Sequence, residues 1–172
     1  MGIPTKIRYE KPGDTAAIRS VHQAAFETGT EANLVDALRD QKAHVISMVA
    51  EKENRITGHI LFSPVTLTAK NSEITLLGLA PMAVLPEYQR QGIGSKLVDN
   101  GLKESRCKGY PAVVVLGHPD YYPRFGFVAS RKHNITSEYD VPPEVFMLIE
   151  LQPDILAGKS GIARYHEAFA EV

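Results

Sequence analysis

The 172-residue chain has one cysteine, Cys107, so no disulfide can form within it. It has almost no net charge: 19 basic side chains stand against 20 acidic ones, a formal −1. Such a balance supplies no broad positive field for nucleic acid or an anionic lipid surface. No apolar run nears the roughly 20 residues that cross a bilayer. Repeats, low-complexity tracts and Ser/Gly linkers are missing too, and the 13 glycines and 11 prolines are spread as punctuation. The six histidines include no pair at metal-ligand spacing, so no metal site is expected. Met1 to Lys6 lack the apolar stretch of a secretory signal, and Lys6 stands where myristoylation of Gly2 would want Ser or Thr. These absences leave an intracellular protein in a reducing, cytoplasmic setting that binds neither nucleic acid nor membrane. What is present, 44% hydrophobic and 23% charged residues, describes one ordinary domain over residues 1–172. A chain of this length buries roughly 70% of the surface its unfolded form exposes and needs no metal to fold.

The periodicities alternate between strand and helix. Lys6 to Glu10 reads as a strand, and a helix capped by Asp14 runs through Phe26 with Ile18, Val21 and Ala25 inward. Thr30 caps a second helix that buries Leu34, Val35 and Leu38 and ends by Gln41. His44 to Glu51 and Arg55 to Leu67 form a hairpin about the turn Lys52-Glu53-Asn54, and Ile74 to Val84 is a third neighbouring strand. Pro81 donates nothing to a sheet ladder, so this strand should bulge or leave a neighbour there. After Pro86 a helix sets Ile93, Leu97, Val98, Leu102 and Ser105 against a polar face and closes at Gly109. Ala112 to Leu116 is a buried strand, Tyr121 to Phe125 makes one helical turn, and Phe127 to Ala129 and Val145 to Leu151 are late strands. The class is α+β, with a mixed sheet flanked by helices.

Between the strand ending at Val84, the fourth, and the third helix lies Gln89-Arg90-Gln91-Gly92-Ile93-Gly94-Ser95. Free backbone amides and the positive end of a helix dipole converge at such a place, and glycine lets an anion approach them. A tight turn with small residues is the other reading. The Gly-x-x-x-x-Gly-Lys-Ser/Thr loop is absent, and a dinucleotide fingerprint would want glycine at Leu97, so another pyrophosphate ligand is indicated.

The run Met82-Ala83-Val84-Leu85-Pro86-Glu87-Tyr88-Gln89-Arg90-Gln91-Gly92-Ile93-Gly94 closely resembles the acetyl-CoA motif Gln/Arg-x-x-Gly-x-Gly/Ala of the GCN5-related N-acetyltransferases, the GNAT family. Tyr122-Pro123-Arg124-Phe125-Gly126-Phe127 resembles that family's Tyr-x-x-x-Gly-Phe element, and Leu116 to Phe127 resembles a bacterial subgroup. The resemblance implies a sheet of about six to seven strands, splayed between the fourth and fifth. Acetyl-CoA would enter there, with the backbone of Met82, Ala83 and Val84 on the pantetheine arm. Residues Gln89 to Lys96 would bind the cosubstrate, with the amides of Gln91, Gly92, Gly94 and Ser95 on the pyrophosphate. Arg90 and Lys96 would touch phosphates or remain solvated charges at a helix start.

The implied reaction moves an acetyl group from sulfur to an amine of a small molecule or protein. An amine of pKa about 10.4 is neutral only about once in 2,500 at pH 7, so a proton acceptor is needed. Glu73, at a strand start, and Glu31, opening the second helix, are candidates. Each also has a plain reading, as a solvated charge or as a partner of the helix dipole. His118, at the end of the buried strand, is a third candidate base or an idle loop residue. Tyr122 matches the family's proton donor to the departing thiolate, a phenol near 10 against a thiol near 8.5. Cys107 reads as a non-reactive helix cysteine. A sensor that binds acyl-CoA without turnover is the alternative function, and Tyr122 argues against it. Family members are often dimers, so a homodimer is compatible with the resemblance.

Overall fold

The computed structural model describes residues 3–171; Met1, Gly2 and Val172, and with them the reading of Gly2, lie outside the described residues. Among the described residues the elements are β1 (Lys6–Tyr9), α1 (Thr15–Ala25), α2 (Thr30–Asp40), β2 (Ile46–Lys52), β3 (Arg55–Ala69), β4 (Ser72–Val84), α3 (Ile93–Cys107), β5 (Ala112–Leu116), β6 (Val128–Ala129), β7 (Ile135–Ser137), β8 (Phe146–Glu150) and β9 (Gly161–Tyr165). The fold is α+β. Hydrogen-bonded neighbours follow the order β1-β2-β3-β4-β5-β8-β6, with β9 beside β3 and β7 beside β9. Those first seven strands are the ones the sequence patterning predicts. The expected six to seven become nine because β7 and β9, three and five residues long, are too short to show a period.

The chain divides into two compact units that interleave along it: Met1–Phe62, Pro81–Gly101 and Glu167–Val172 in one, Ser63–Ala80 and Leu102–His166 in the other. In the first unit, β1, β2 and the leading half of β3 form an antiparallel ladder from Lys6↔Glu51 to Tyr9↔Met48 and from Ile46↔Phe62 to Lys52↔Arg55. Glu53 and Asn54 close the hairpin with φ of 52° and 63°, both left-handed, the conformation whose twist suits a two-residue turn. Helices α1 and α2 lay Ile18, Leu34, Val35 and Leu38 against Val49 and Leu61. Asp14 precedes α1 but makes no side-chain cap. Its carboxylate instead accepts from the Lys11 amide at 2.7 Å and pairs with Arg8 at 2.7 Å, which lowers its pKa. Thr30 is the first residue of α2, and Gly29 holds the cap position that the sequence assigns to Thr30.

Deep in this unit two histidines meet: His22 Nε2 on α1 lies 2.8 Å from His59 Nδ1 on β3, and both residues are fully buried. Burial disfavours the imidazolium, so His22 is held down to about 4 and His59 well below its ordinary value.

In the second unit β5 pairs antiparallel with β8 over five positions, Ala112↔Glu150 to Leu116↔Phe146, and β6 with β8. Its Val113–Val115 run is buried, the pattern of a strand covered on both faces. The parallel ladder of β4 with β5 is confined to Leu77↔Val113 and Gly78↔Val114. Strand β4 itself continues through Pro81 to Val84, so the departure expected near Pro81 begins after Gly78. Helix α3 ends in a full left-handed cap: Gly109, at φ 83°, donates to the Arg106 carbonyl at 2.9 Å and Tyr110 to that of Ser105 at 3.2 Å.

The buried histidines make an acid-sensitivity prediction with a definite sign. Unfolded, both rings take protons below about pH 6.5; folded, His22 refuses one until about pH 4, and burial holds His59 well below its ordinary value too. Stability is therefore full above that window and is lost as pH falls through it, on the order of 3 kcal/mol for His22 alone by pH 4. Thermal melts between pH 7 and 5, before most carboxylates titrate, should show a falling midpoint; a flat midpoint contradicts neutral burial.

Candidate functional site

The first unit builds an anion cradle where β4 gives way to α3. Leu85 is tied back to β3 through its amide on the Thr57 carbonyl at 2.8 Å, and Pro86–Tyr88 make one 3-10 turn. Gln89 clasps the strand end, its Nε2 donating to the Val84 carbonyl at 3.0 Å. Arg90 and Gly92 then take φ of 62° and 83°. Left-handed backbone costs roughly 1–2 kcal/mol for a residue with a Cβ, so glycine at 92 lowers the strain and Arg90 bears it. Ile93 and Leu97 anchor the start of α3 by packing over Gly58. The first hydrogen bond of the helix closes from the Lys96 amide to the Gly92 carbonyl at 3.1 Å. The amides of Gly92, Ile93 and Gly94 precede that bond and have no helix carbonyl to reach, which is the electrostatic condition for anion binding. A Cβ added at Gly92 would meet nothing within 4 Å, so the space beside the loop is open. Arg90, Gln91, Gly92 and Lys96 are exposed, while Gly94 and Ser95 are half-buried. Across the loop, Lys52 and Arg55 lie over the Tyr88 ring at 5.9 Å and 5.7 Å. Sequence reasoning missed these two cations because they belong to the β2–β3 hairpin.

Met82 and Val84 are half-buried and Ala83 is buried, at the end of β4. Ala83 and Leu85 pack with Val21 of α1. Glu31 lies in the first turn of α2, and its Oε2 is buried without a hydrogen-bond partner among the described residues. The structure thus brings Met82 to Lys96 together and places Glu31 in the same unit.

The second unit holds Tyr122, His118 and Glu73. Tyr122 opens a 3-10 turn, Tyr122–Phe125, that follows β5, its amide 3.4 Å from the His118 carbonyl. The ring is 8% exposed and meets Tyr121 and Phe127 edge-on at 5.1 Å and 5.6 Å. Burial, with a smaller contribution from Tyr121, pushes its phenol up to about 12. The proton therefore stays on Tyr122 oxygen throughout the neutral range. Tyr121 turns to a different task, lying under the Arg124 guanidinium at 4.4 Å. His118 is exposed. Glu73 is exposed at the opening of β4, with eight residues of the strand between it and Met82. Residues Ser130 to Pro143, which pattern as loop, contain β7 and line a cavity of about 100 Å³ with Ile135, Tyr139, Val141 and Phe146. Among the described residues no group of three or more His, Cys, Asp or Glu side chains is placed to hold a metal.

A family model described as an acetyltransferase (GNAT) domain matches residues 6–129. The chain is 35% identical over 164 residues to the uncharacterized N-acetyltransferase YhbS of Escherichia coli K12, covering 95% of this chain and 97% of that one. It is similar to a crystal structure of E. coli YhbS in complex with CoA, at TM-score 0.93 and 33% identity, covering 99% of this chain and 94% of that one. A GNAT family acetyltransferase from Brucella melitensis in complex with acetyl-CoA matches at TM-score 0.80 and 38% identity, covering 96% and 98%.

The position of Tyr122 rests on a missing side chain. A Cβ at Gly117 would stand 2.3 Å from Tyr122 Cε2, inside contact with a ring that has little room to move. Gly117→Ala is expected to destabilise the chain by about 1–3 kcal/mol, read in denaturant melts, and to change the near-ultraviolet tyrosine signal. An unchanged melt and spectrum would show that the ring is not confined there.

Proposed function

The chain belongs to the GNAT family of acetyltransferases, and on that premise we propose that Met82–Val84 and Gln89–Lys96 hold acetyl-CoA while Tyr122 serves the acetyl transfer. The chain is an acetyl-CoA-dependent N-acetyltransferase of this family. The observation that carries the assignment of residues is the loop ahead of α3, where Arg90 and Gly92 are left-handed and the space beside Gly92 is open. The residues fit the group: a diphosphate needs amide donors and a close approach, and glycine supplies both. Bound acetyl-CoA supplies a thioester whose acetyl carbon a neutral amine can attack.

The chain's own contributions follow from its atoms. The amides of Gly92 to Gly94 bind the diphosphate, with Arg90 and Lys96 as exposed cations beside them. The backbone of Met82–Val84 orients the pantetheine arm as an added strand would, by main-chain hydrogen bonds. Tyr122 oxygen holds a proton for the sulfur when the C–S bond breaks and the N–C bond forms. At about 12 the phenol lies further above an ordinary thiol, near 8.5, than a free phenol would. Tyr122 thus contributes as a hydrogen-bond donor to the departing sulfur, completing proton transfer only where the sulfur is equally desolvated. Glu31, with a buried carboxylate oxygen lacking a donor, is the acidic side chain best prepared to meet an ammonium group. His118 and Glu73, both exposed, keep weaker claims to the proton acceptor.

Residues 1–172 are proposed to act as one domain, because the two units interleave and the family match runs across both. A cytoplasmic location is proposed on the lone exposed thiol of Cys107. A homodimer is proposed on the family resemblance alone, and light scattering decides it.

Thermal melts with CoA, acetyl-CoA and ATP test the cradle: both CoA forms should raise the midpoint and ATP should not. No CoA-dependent shift removes the reading. Release of free thiol from acetyl-CoA with a panel of amines tests turnover, and its absence would leave an acyl-CoA-binding module. Tyr122→Phe is expected to lower kcat about 10- to 100-fold with CoA affinity unchanged. The parent should show no alkaline fall in kcat below about pH 11, since the phenol keeps its proton to about pH 12. Unchanged turnover in Tyr122→Phe removes the donor role.

A further inference from the structure

Four side chains of the first unit form one unbranched chain of hydrogen bonds that the chemistry above leaves unused. The Ser47 hydroxyl donates to Glu10 Oε1. Ser47 Oγ lies 2.8 Å from His59 Nε2, and His59 Nδ1 lies 2.8 Å from His22 Nε2. His22 Nδ1 is buried with no partner among the described residues. Ser47 is 4% exposed and both imidazoles are 0% exposed.

Counting protons gives the chain a direction. Glu10 is paired with Arg39 at 2.9 Å, so it is a carboxylate that only accepts. The single hydrogen of Ser47 goes to Glu10, and Ser47 oxygen accepts from His59 Nε2–H. A neutral His59 then has a bare Nδ1, which accepts from His22 Nε2–H. What remains at the buried end is the bare Nδ1 of His22. A buried acceptor without a donor costs about 1–3 kcal/mol, and this one is the single unpartnered end of the chain.

The neighbours of His22 on α1 border the end of β4. Val21 and Ala25, on the same turns of α1, pack against Ala83 and Leu85, where β4 carries the proposed thioester-binding backbone. The Phe26 ring stacks on His22 at 6.1 Å. Asp36 and Arg39 act on the ring from α2 with opposite signs, and His59 meets it from β3.

We propose that Glu10, Ser47, His59 and His22 form a proton relay for acetyl transfer, taking the proton lost by the acceptor nitrogen at His22 Nδ1 and delivering it to Glu10. The inference rests on the function proposed above. The step balances: one proton enters at Nδ1, the His22 Nε2 proton moves to His59 Nδ1, the His59 Nε2 proton moves to Ser47 oxygen, and the Ser47 proton moves to Glu10. Neither ring retains a charge. Glu10, with 16% of its side chain exposed, releases the proton to solvent. Rings that burial keeps neutral suit this task, because they pass a proton on instead of storing it.

Two measurements on the full chain decide it. Nitrogen-15 histidine NMR at pH 7 is expected to show both rings neutral in the Nε2–H tautomer. A charged ring or an Nδ1–H tautomer at either position overturns the relay whatever the activity. Ser47→Ala removes the central hydroxyl, and with the fastest amine of the panel it should lower kcat at pH 7 about tenfold, less at high pH where the amine is already neutral. KM for acetyl-CoA and the CoA-induced melting shift should stay within about twofold, and Ser47→Thr should restore most of kcat. Glu10→Gln, which still accepts from Ser47 but cannot take the proton, should match Ser47→Ala. A folded Ser47→Ala chain with the parent's kcat and pH profile refutes the relay and leaves the function standing. A parent chain that releases thiol with no amine fails the function itself, and the relay with it.

Discussion

The structure depends most on how the chain leaves β4 and enters α3. A helix must begin with amides that have no carbonyl of their own to bond, and in most helices a side-chain cap or water satisfies them. Here the backbone arrives through left-handed Arg90 and Gly92, and Ile93 and Leu97 pin the first turn over Gly58. The amides of Gly92 to Gly94 thereby precede the first hydrogen bond of the helix, from Lys96 to the Gly92 carbonyl. The proposed cosubstrate site is built on that: Met82–Val84 lead into the loop, Arg90 and Lys96 are exposed cations on it, and Lys52 and Arg55 lie over the Tyr88 ring just ahead of it.

The second unit contributes by confinement. Tyr122 is wedged by the absence of a side chain at Gly117 and by edge-on contacts to Tyr121 and Phe127. Confinement raises its pKa, and this changes the argument about its role. A free phenol would approach a thiol in acidity, whereas the buried one keeps its proton more firmly, so the role proposed for it is that of a fixed donor. In the first unit burial acts on the histidines in the opposite sense, holding both neutral. One desolvation principle thus preserves a proton on Tyr122 and excludes charge from His22 and His59.

Much of this was legible in the sequence. The helices of Ile18, Leu34 and Leu97 follow from their period, and the β2–β3 hairpin from Glu53-Asn54, which tolerates a left-handed turn through Asn54. The loop from Gln89 to Ser95 was legible as a strand-to-helix turn because Gly92 meets a local backbone requirement, a φ of 83°. Other features were not, for physical reasons. Strands β7 and β9 are stabilised by partners distant in sequence and are too short to show alternation. Asp14 patterns as a helix cap, yet Arg8 and the Lys11 amide compete for its carboxylate and win. The chain from Glu10 to His22 joins residues from β1's end, β2, β3 and α1, and no spacing rule connects them. Glu73 illustrates the converse: its place at a strand start was readable, but exposure is a tertiary property.

The most direct test of the cradle compares two ligands that share the pantetheine arm. Titration calorimetry with CoA and with pantetheine, which lacks the diphosphate and nucleotide, isolates what the α3 amides contribute. The account predicts that CoA binds at least about 100-fold more tightly, a difference of roughly 2.7 kcal/mol, and that the advantage shrinks as salt is raised. Equal affinities would mean that the diphosphate is not held, and that the open amides of Gly92 to Gly94 serve no ligand.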